Sequence, residues 1–256
     1  MPRLVLLAVP AVRSAISREL GRDIEYHEVI GSTQTRAREL AAGSATRGVV
    51  IANEQRSGQG TRGRAWHAPA GSSLLASWIT RPAPRSPALY SALAGVAVAR
   101  ALDGFGVSSS RLKWPNDVEL AGRKLAGVLA HATSDGGGGV LVLGIGINVH
   151  QRPGDLRPDI SEAATSLAIA GHEIDRLALL AALTRELDRL QVADELAAAH
   201  AEWVARSALL GQGVEVRVEG RDPFSGTATA IDDEGALLVH TASGVERIVS
   251  GDVRLA

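Results

Sequence analysis

The sequence predicts an α/β body followed by a small all-β module, and three observations carry that prediction. Apolar runs of strand length alternate with helix-periodic stretches as far as residue 210. Within residues 175–210, Leu180, Leu183, Leu187 and Leu190 recur on one helical face, the pattern of core packing. Beyond Gly211, Val214, Val216 and Val218 alternate with Glu215 and Arg217. The short runs 227–231, 236–240 and 245–249 that follow are parted by tight turns, the texture of a small barrel or sandwich. The boundary falls near Gly211, giving a body of residues 1–210 and a module of 211–256.

In chain order, the apolar segment 3–9 is interrupted by Pro10 and then by Arg13, Arg18 and Glu19, so it reads as a first core segment and not as a secretory signal. A helix over 11–20 and a strand over 24–29 follow. Ser32 and Thr33 precede a helix-forming run that ends at Gly43. Their hydroxyls are natural caps, and a capped helix start also points free amides at whatever lies in front of it. Residues 49–52 read as a buried strand leading into a glycine- and arginine-rich loop, and 73–79 as the strand leaving it. A helix over 88–102, a turn at Pro115, and a hairpin of 125–132 with 140–149 complete the body. The glycine-rich hairpin tip 134–139 reads as flexible and carries no phosphate role.

Composition narrows the function. Hydrophobic residues make up 45% and charged ones 21%, the balance of a soluble globular protein. A formal charge of −1 argues against a general nucleic-acid coat, which needs a basic surface. The absence of cysteine removes disulfides, thiolate nucleophiles and cysteine zinc sites, and seven scattered histidines without an H-E-x-x-H pair argue against zinc. No run approaches the ~20 apolar residues that cross a bilayer, and the expected compartment is the cytoplasm.

Three strings carry chemistry. Gly58, Gly60 and Gly63 fall in G-x-G-x-x-G spacing, but residues 64–71 are too broken for the helix a dinucleotide fingerprint must open, and no Walker string exists. With Arg62, Arg64 and Trp66, the loop suits closure over a phosphate and a ring, although a solvated hairpin tip has the same texture. Lys113-Trp114-Pro115-Asn116-Asp117 places a cation beside an amide and a carboxylate that can offer oxygens to Mg²⁺; as a bare pattern it is also a good β-turn. Lys124 enters an apolar strand between Gly122 and Gly127, which is expensive unless an anion meets it. In Gly144-Ile145-Gly146-Ile147-Asn148, glycines within a strand mark close approach of a ligand.

Taken in this order, Ser32-Thr33-Gln34, Gln55, the loop from Gly58 to Arg64, Trp66, Lys113 to Asp117, Arg123-Lys124-Leu125-Ala126-Gly127 and Gly144 to Asn148 resemble the catalytic domain of biotin protein ligases. The resemblance implies a mixed, largely antiparallel sheet flanked by helices, like that of class II aminoacyl-tRNA synthetases, with a C-terminal SH3-like barrel. It implies a two-step reaction on biotin and ATP: formation of biotinyl-AMP, then acylation of a lysine on a biotin carboxyl carrier domain. The implied catalytic residues are Lys124, Arg62 and Arg64. Ser32, Thr33, Gln34, Gln55, Gly58, Gln59, Gly60, Thr61, Lys124, Gly127 and Gly146 would hold biotin. Arg62, Arg64, Trp66, Lys113, Asn116, Lys124 and Asn148 would hold ATP, with Asn116 and Asp117 at Mg²⁺.

Two departures stand out. Gln59 and Thr61 occupy positions where the family carries arginines, and Gln34 stands for its Asn. Only about thirty residues precede Ser32, short of the ~50 that a small domain needs, so no winged-helix DNA-binding domain and no repressor role are expected. The resemblance admits a homodimer. A lipoate or octanoate ligase of the same superfamily and a non-catalytic biotin sensor are the alternative functions.

Overall fold

The computed structural model describes residues 3–43, 45–84, 87–133 and 138–256. The apolar start is core: a 3-10 turn at Arg3–Ala8 buries Leu4 and Leu7 completely. Helix α1 (Pro10–Leu20) leads to strand β1 (Asp23–Ile30), helix α2 (Thr33–Ala42) and strand β2 (Arg47–Gln55), which returns parallel to β1. The glycine loop holds two short strands, β3 (Gly58–Gln59) and β4 (Ala65–Trp66). Then come β5 (Ser73–Thr80), α3 (Pro87–Asp103), β6 (Arg111–Lys113), β7 (Asp117–Leu120), β8 (Arg123–Thr133) and β9 (Val140–Asn148). Seven of these strands form one sheet in the order β1-β2-β5-β9-β8-β7-β6, antiparallel except between β1 and β2. Residues 134–137 of the hairpin tip lie outside the described residues.

The period of two along each strand sorts the sheet into two faces. Leu74, Ala76 and Trp78 of β5 and Leu141, Leu143, Ile145 and Ile147 of β9 join the main apolar core. Ile79, Val140 and Val142 face the other way, under Ala37 and Ala41 of α2. Farther along that same face, the register sets Ser77 beside Gly144 and Gly144 beside Leu129. The neighbouring row is Leu75, Gly146, Gly127 and Asp117. The glycines and Ser77 in these rows leave an open floor where α2 ends its cover.

At β8 the alternation is broken on purpose. Val118 pairs with Ala126 and Glu119 with Lys124, so Leu125 is an extra residue, a β-bulge. Strict alternation would turn Lys124 into the core; the bulge buries Leu125 instead and leaves Lys124 on the open face. The bulged backbone is paired by a passing segment: Lys124 N–H donates to Ala163 O (2.8 Å), and Thr165 N–H to Lys124 O (2.9 Å).

The helical stretch 175–210 is two helices, α4 (Arg176–Arg189) and α5 (Ala193–Arg206), a division that the periodicity does not mark. A single straight helix of that length would run about 50 Å, beyond the sheet it must cover. The chain turns back at 190–192, so that α4 buries Leu180, Leu183 and Leu187 while α5 buries Ala199 and Trp203. Trp78 Nε1–H of β5 donates to Thr184 Oγ1 (3.1 Å), fixing α4 to the sheet.

Strands β10 (Gly213–Arg217), β11 (Phe224–Ile231), β12 (Leu237–Thr241), β13 (Gly244–Ile248) and β14 (Asp252–Leu255) form an antiparallel sheet in the order β13-β12-β11-β10-β14. Its turn at 232–235 docks on the body: Trp114 Nε1–H donates to Gly235 O (3.0 Å), and His200 Nε2 lies 3.0 Å from Asp232 O. Trp114 is buried, so Trp114→Phe keeps the apolar contact but orphans the Gly235 carbonyl. A loss of about 1–2 kcal/mol in urea unfolding is expected; an unchanged midpoint would mean that the bond contributes nothing to docking.

Candidate active site

The open floor is the base of a cavity of about 400 Å³. One wall is the start of α2. Ser32 caps the helix by accepting from Thr35 N–H (3.4 Å), and Gln55 Oε1 accepts from the free Thr33 N–H (2.7 Å) and lies 3.0 Å from its hydroxyl. Gln34 is buried against the floor. Its Nε2 donates to Val142 O (3.2 Å) and Leu129 O (3.4 Å), and the Ser77 hydroxyl lies within donating distance of Gln34 Oε1 (3.1 Å) and Thr33 Oγ1 (2.9 Å). A Cβ on Gly144 would come within 2.5 Å of Gln34 Oε1, so this glycine makes room for the carboxamide.

The glycine loop forms the roof. Gly58 pairs with Trp66 and Gln59 with Ala65, and a Cβ on Gly58 would collide with the Trp66 carbonyl. The turn passes through Arg62 (φ 56°) and Gly63 (φ 71°), both left-handed. The hairpin lays the Trp66 indole over the floor: a Cβ at Gly146 would sit 2.6 Å from its Cε2, and one at Gly127 3.2 Å from its Cζ3. Trp66 Nε1 is buried with no hydrogen-bond partner among the described residues, a donor awaiting an acceptor. Arg64 Nη2 donates to Thr61 Oγ1 (3.3 Å), and Gln59 Nε2 to Thr35 Oγ1 (3.2 Å).

Lys124 meets its anion within the chain: Nζ lies 2.6 Å from Asp117 Oδ1 and 5.9 Å from the Trp66 ring centre. Asn116 Nδ2 donates to Val128 O (2.6 Å), which turns its Oδ1 the other way. Among the described residues no group of three or more His, Cys, Asp or Glu could hold a metal ion.

The cavity brings together Ser32, Thr33, Gln34, Gln55, Gln59, Gly60, Thr61, Arg64, Trp66, Asn116, Asp117, Lys124, Gly127, Gly146 and Asn148. Three expected residues stand apart. Gly58 lines an adjoining recess, Arg62 is exposed on the loop, and Lys113 pairs with Glu119 at 3.6 Å. Burial pushes the Glu119 carboxyl above its usual range, against the pull of Lys113. Sequence reasoning missed Ser77, the apolar lip of Leu156, Ile160, Ala163 and Ala164, and Arg254 of β14, which brings a cation from the C-terminal module. Ser77 was detectable as a polar residue inside an otherwise apolar strand. The lip and Arg254 belong to no local pattern.

Residues 26–148 match the Biotin/lipoate A/B protein ligase family, and 209–255 match the Biotin protein ligase C terminal domain. The chain is 34% identical over 260 residues to the bifunctional ligase/repressor BirA of Bacillus subtilis, covering 97% of this chain and 79% of that protein. It is 33% identical over 234 residues to the biotin--[acetyl-CoA-carboxylase] ligase of Paracoccus denitrificans, covering 87% and 96%. The biotin protein ligase from Aquifex aeolicus in complex with biotin and ATP superposes with a TM-score of 0.77 at 26% identity, over 91% of this chain and 99% of that one. The chain belongs to the biotin/lipoate ligase family. Within it, both matched segments and these relatives place it among the biotin protein ligases, enzymes with a mixed, mostly antiparallel sheet and a C-terminal antiparallel module. No helix among the described residues is long and apolar enough to cross a membrane.

Proposed function

We propose that the protein joins biotin to ATP as biotinyl-AMP and then transfers the biotinyl group to a lysine of a biotin carboxyl carrier domain, in the cytoplasm. The observation that carries this is Lys124 on the glycine floor, paired with Asp117 in the cavity that also takes in the α2 wall, Asn116 and Asn148. Asn116, Asp117 and Asn148 are the residues assigned to the nucleotide and Mg²⁺. In the first step a biotin carboxylate oxygen attacks the α-phosphorus and pyrophosphate leaves. In the second the neutral lysine amine attacks the acyl carbon, AMP leaves and the nitrogen gives up a proton. Both partners of the first step are anionic, so the site must supply positive charge more than a base. Lys124 supplies it at the reacting oxygens, and Arg64, which lines the same cavity, adds it around the phosphates. Ser32, Thr33, Gln55 and the loop backbone at Gly60 hold the ureido ring. Gln34, its amide engaged by two strands, shapes the wall beside them. Trp66 shields the mixed anhydride from water.

The donor chemistry at Asn116 and Asp117 suits Mg²⁺, which takes one or two protein oxygens and completes its shell with phosphate and water. When bound, the ion would offset part of the triphosphate's negative charge. Asn116 would contribute Oδ1, since its nitrogen donates to Val128 O.

Incubation with biotin, Mg-ATP and an apo carrier domain should add one biotinyl mass to the carrier; a carrier of unchanged mass would refute the assignment. Thr61 and Gln59 supply neutral groups where the family places guanidinium, and Thr61 serves as an acceptor for Arg64. Weaker retention of the adenylate follows, with leakage to bystander amines. Thr61→Arg should slow release of biotinyl-AMP about tenfold, the scale of one charge-assisted hydrogen bond; an equal off-rate would sink the idea.

A further inference from the structure

Asn148 reaches the cavity, and a residue that does not reach it sets the direction of its amide. Gln151 is 1% exposed and donates Nε2–H to Asn148 Oδ1 (2.8 Å) and to Ser73 Oγ (2.6 Å). The Ser73 hydroxyl lies 3.4 Å from the same Oδ1. On its other side Asn148 Nδ2 donates to the backbone carbonyl of Thr165 (2.9 Å). A carbonyl oxygen can only accept, so the NH₂ end of Asn148 must face Thr165. Its oxygen then faces Gln151, and Gln151 must present its own NH₂. The polarity of both amides is thus anchored to one backbone atom and not left to an arbitrary choice of rotamer.

Two consequences follow. Asn148 Oδ1 is engaged from behind, while the second Nδ2 hydrogen has no partner among the described residues. Gln151 Oε1, in turn, is buried with no hydrogen-bond partner among the described residues. An orphaned buried oxygen costs stability that a methionine of similar length would not, so packing alone does not account for a glutamine here. The strap that receives Asn148 is also the segment that pairs with the bulged Lys124 backbone.

We propose that Gln151 is a positioning residue for the adenylation step: it locks Asn148 with its NH₂ toward the bound nucleotide. Asn148 therefore acts as a donor, to a ring nitrogen or a phosphoryl oxygen, and offers no oxygen to a metal ion. The inference rests on the proposed ligase activity and on Asn148 facing the nucleotide.

The test is a double-mutant cycle on biotin-dependent ATP–pyrophosphate exchange with the full chain, using Gln151→Met, Asn148→Ala and the pair. Gln151→Met should raise the KM for ATP about tenfold, with the KM for biotin unchanged and kcat within about twofold. In the Asn148→Ala background the same change should have no further effect. An unchanged KM for ATP, or an equal rise in that background, overturns the positioning role. If Gln151→Met does not fold, Gln151→Glu keeps the shape and presents only acceptors, with the same expected rise and the same overturning results. A parent protein that exchanges no pyrophosphate overturns the ligase activity, and the inference with it.

Discussion

Lys124→Ala is expected to lower biotin-dependent pyrophosphate release by at least about 100-fold, the scale of losing one preorganised charge at a reacting centre. Its ammonium lies 2.6 Å from Asp117, beside the Trp66 face and 3.4 Å from where a Cβ on Gly127 would stand. Removing it leaves the Asp117 carboxylate to face two further anions, a carboxylate and a triphosphate, without the ammonium that now stands 2.6 Å from it. The side chain is about one third exposed, so the ion pair adds little to folding and the melting temperature should move only slightly. Loss of activity with an intact fold therefore separates chemistry from structure. Lys124→Arg should recover only part of the rate, because a planar fork replaces a point charge. Full activity in Lys124→Ala would contradict the assigned role.

Gly146→Ala is expected to weaken biotin binding at least about tenfold while leaving the body folded. The added methyl would stand 2.6 Å from Cε2, 2.8 Å from Cζ2 and 3.0 Å from Cδ2 of Trp66. The backbone at Gly146 is not in the left-handed region, so alanine is conformationally acceptable there and the effect is steric alone. Either the sheet or the indole must yield. Residue 146 pairs with both neighbouring strands, whereas Trp66 rides on the loop hairpin and gives way first. Overpacking of this kind costs ~1–3 kcal/mol, here drawn from closure of the roof. Calorimetric titration with biotin measures the loss. The fluorescence of Trp66 should report a more solvated indole, since Trp78, Trp114 and Trp203 are buried elsewhere and Trp66→Phe identifies its share. Parent-like affinity would show that the roof does not need the glycine floor.

Much of the fold was legible because local chemistry and global structure agree. Ser32 caps the helix it precedes, and residues 125–132 and 140–149 pair as the hairpin their alternation suggests. Gly144 and Gly146 mark close approaches, although those filling the space are Gln34 and Trp66 of the same chain. The parallel return of β2 beside β1 was not legible, since strand direction depends on the crossover of α2 and leaves no trace in periodicity. The division of 175–210 into two helices was hidden for a similar reason: both helices keep the same apolar period, and only the width of the sheet demands the turn.

The candidate site divides along the same line. Residues contributed by contiguous motifs, such as Ser32-Thr33, the glycine loop and Asn116-Asp117, could be gathered from sequence order. Residues joined only by long-range pairing could not. The lip at 156–164, Arg254 from β14 and Gln151 behind Asn148 belong to no string that names them. The resemblance assigns Lys113 to ATP; in the structure its ammonium lies 3.6 Å from Glu119.

By itself the sequence determined which residue types the site contains, the order in which they arrive, and the family they define, because those are properties of local spelling. Only the tertiary structure decided the face on which each one stands. The single extra residue Leu125 turns Lys124 out of the core and onto the glycine floor, and one backbone carbonyl at Thr165 orients Asn148. Both outcomes come from pairing between distant segments, where a shift of one residue reverses a side chain and a partner across space sets the direction of a hydrogen bond.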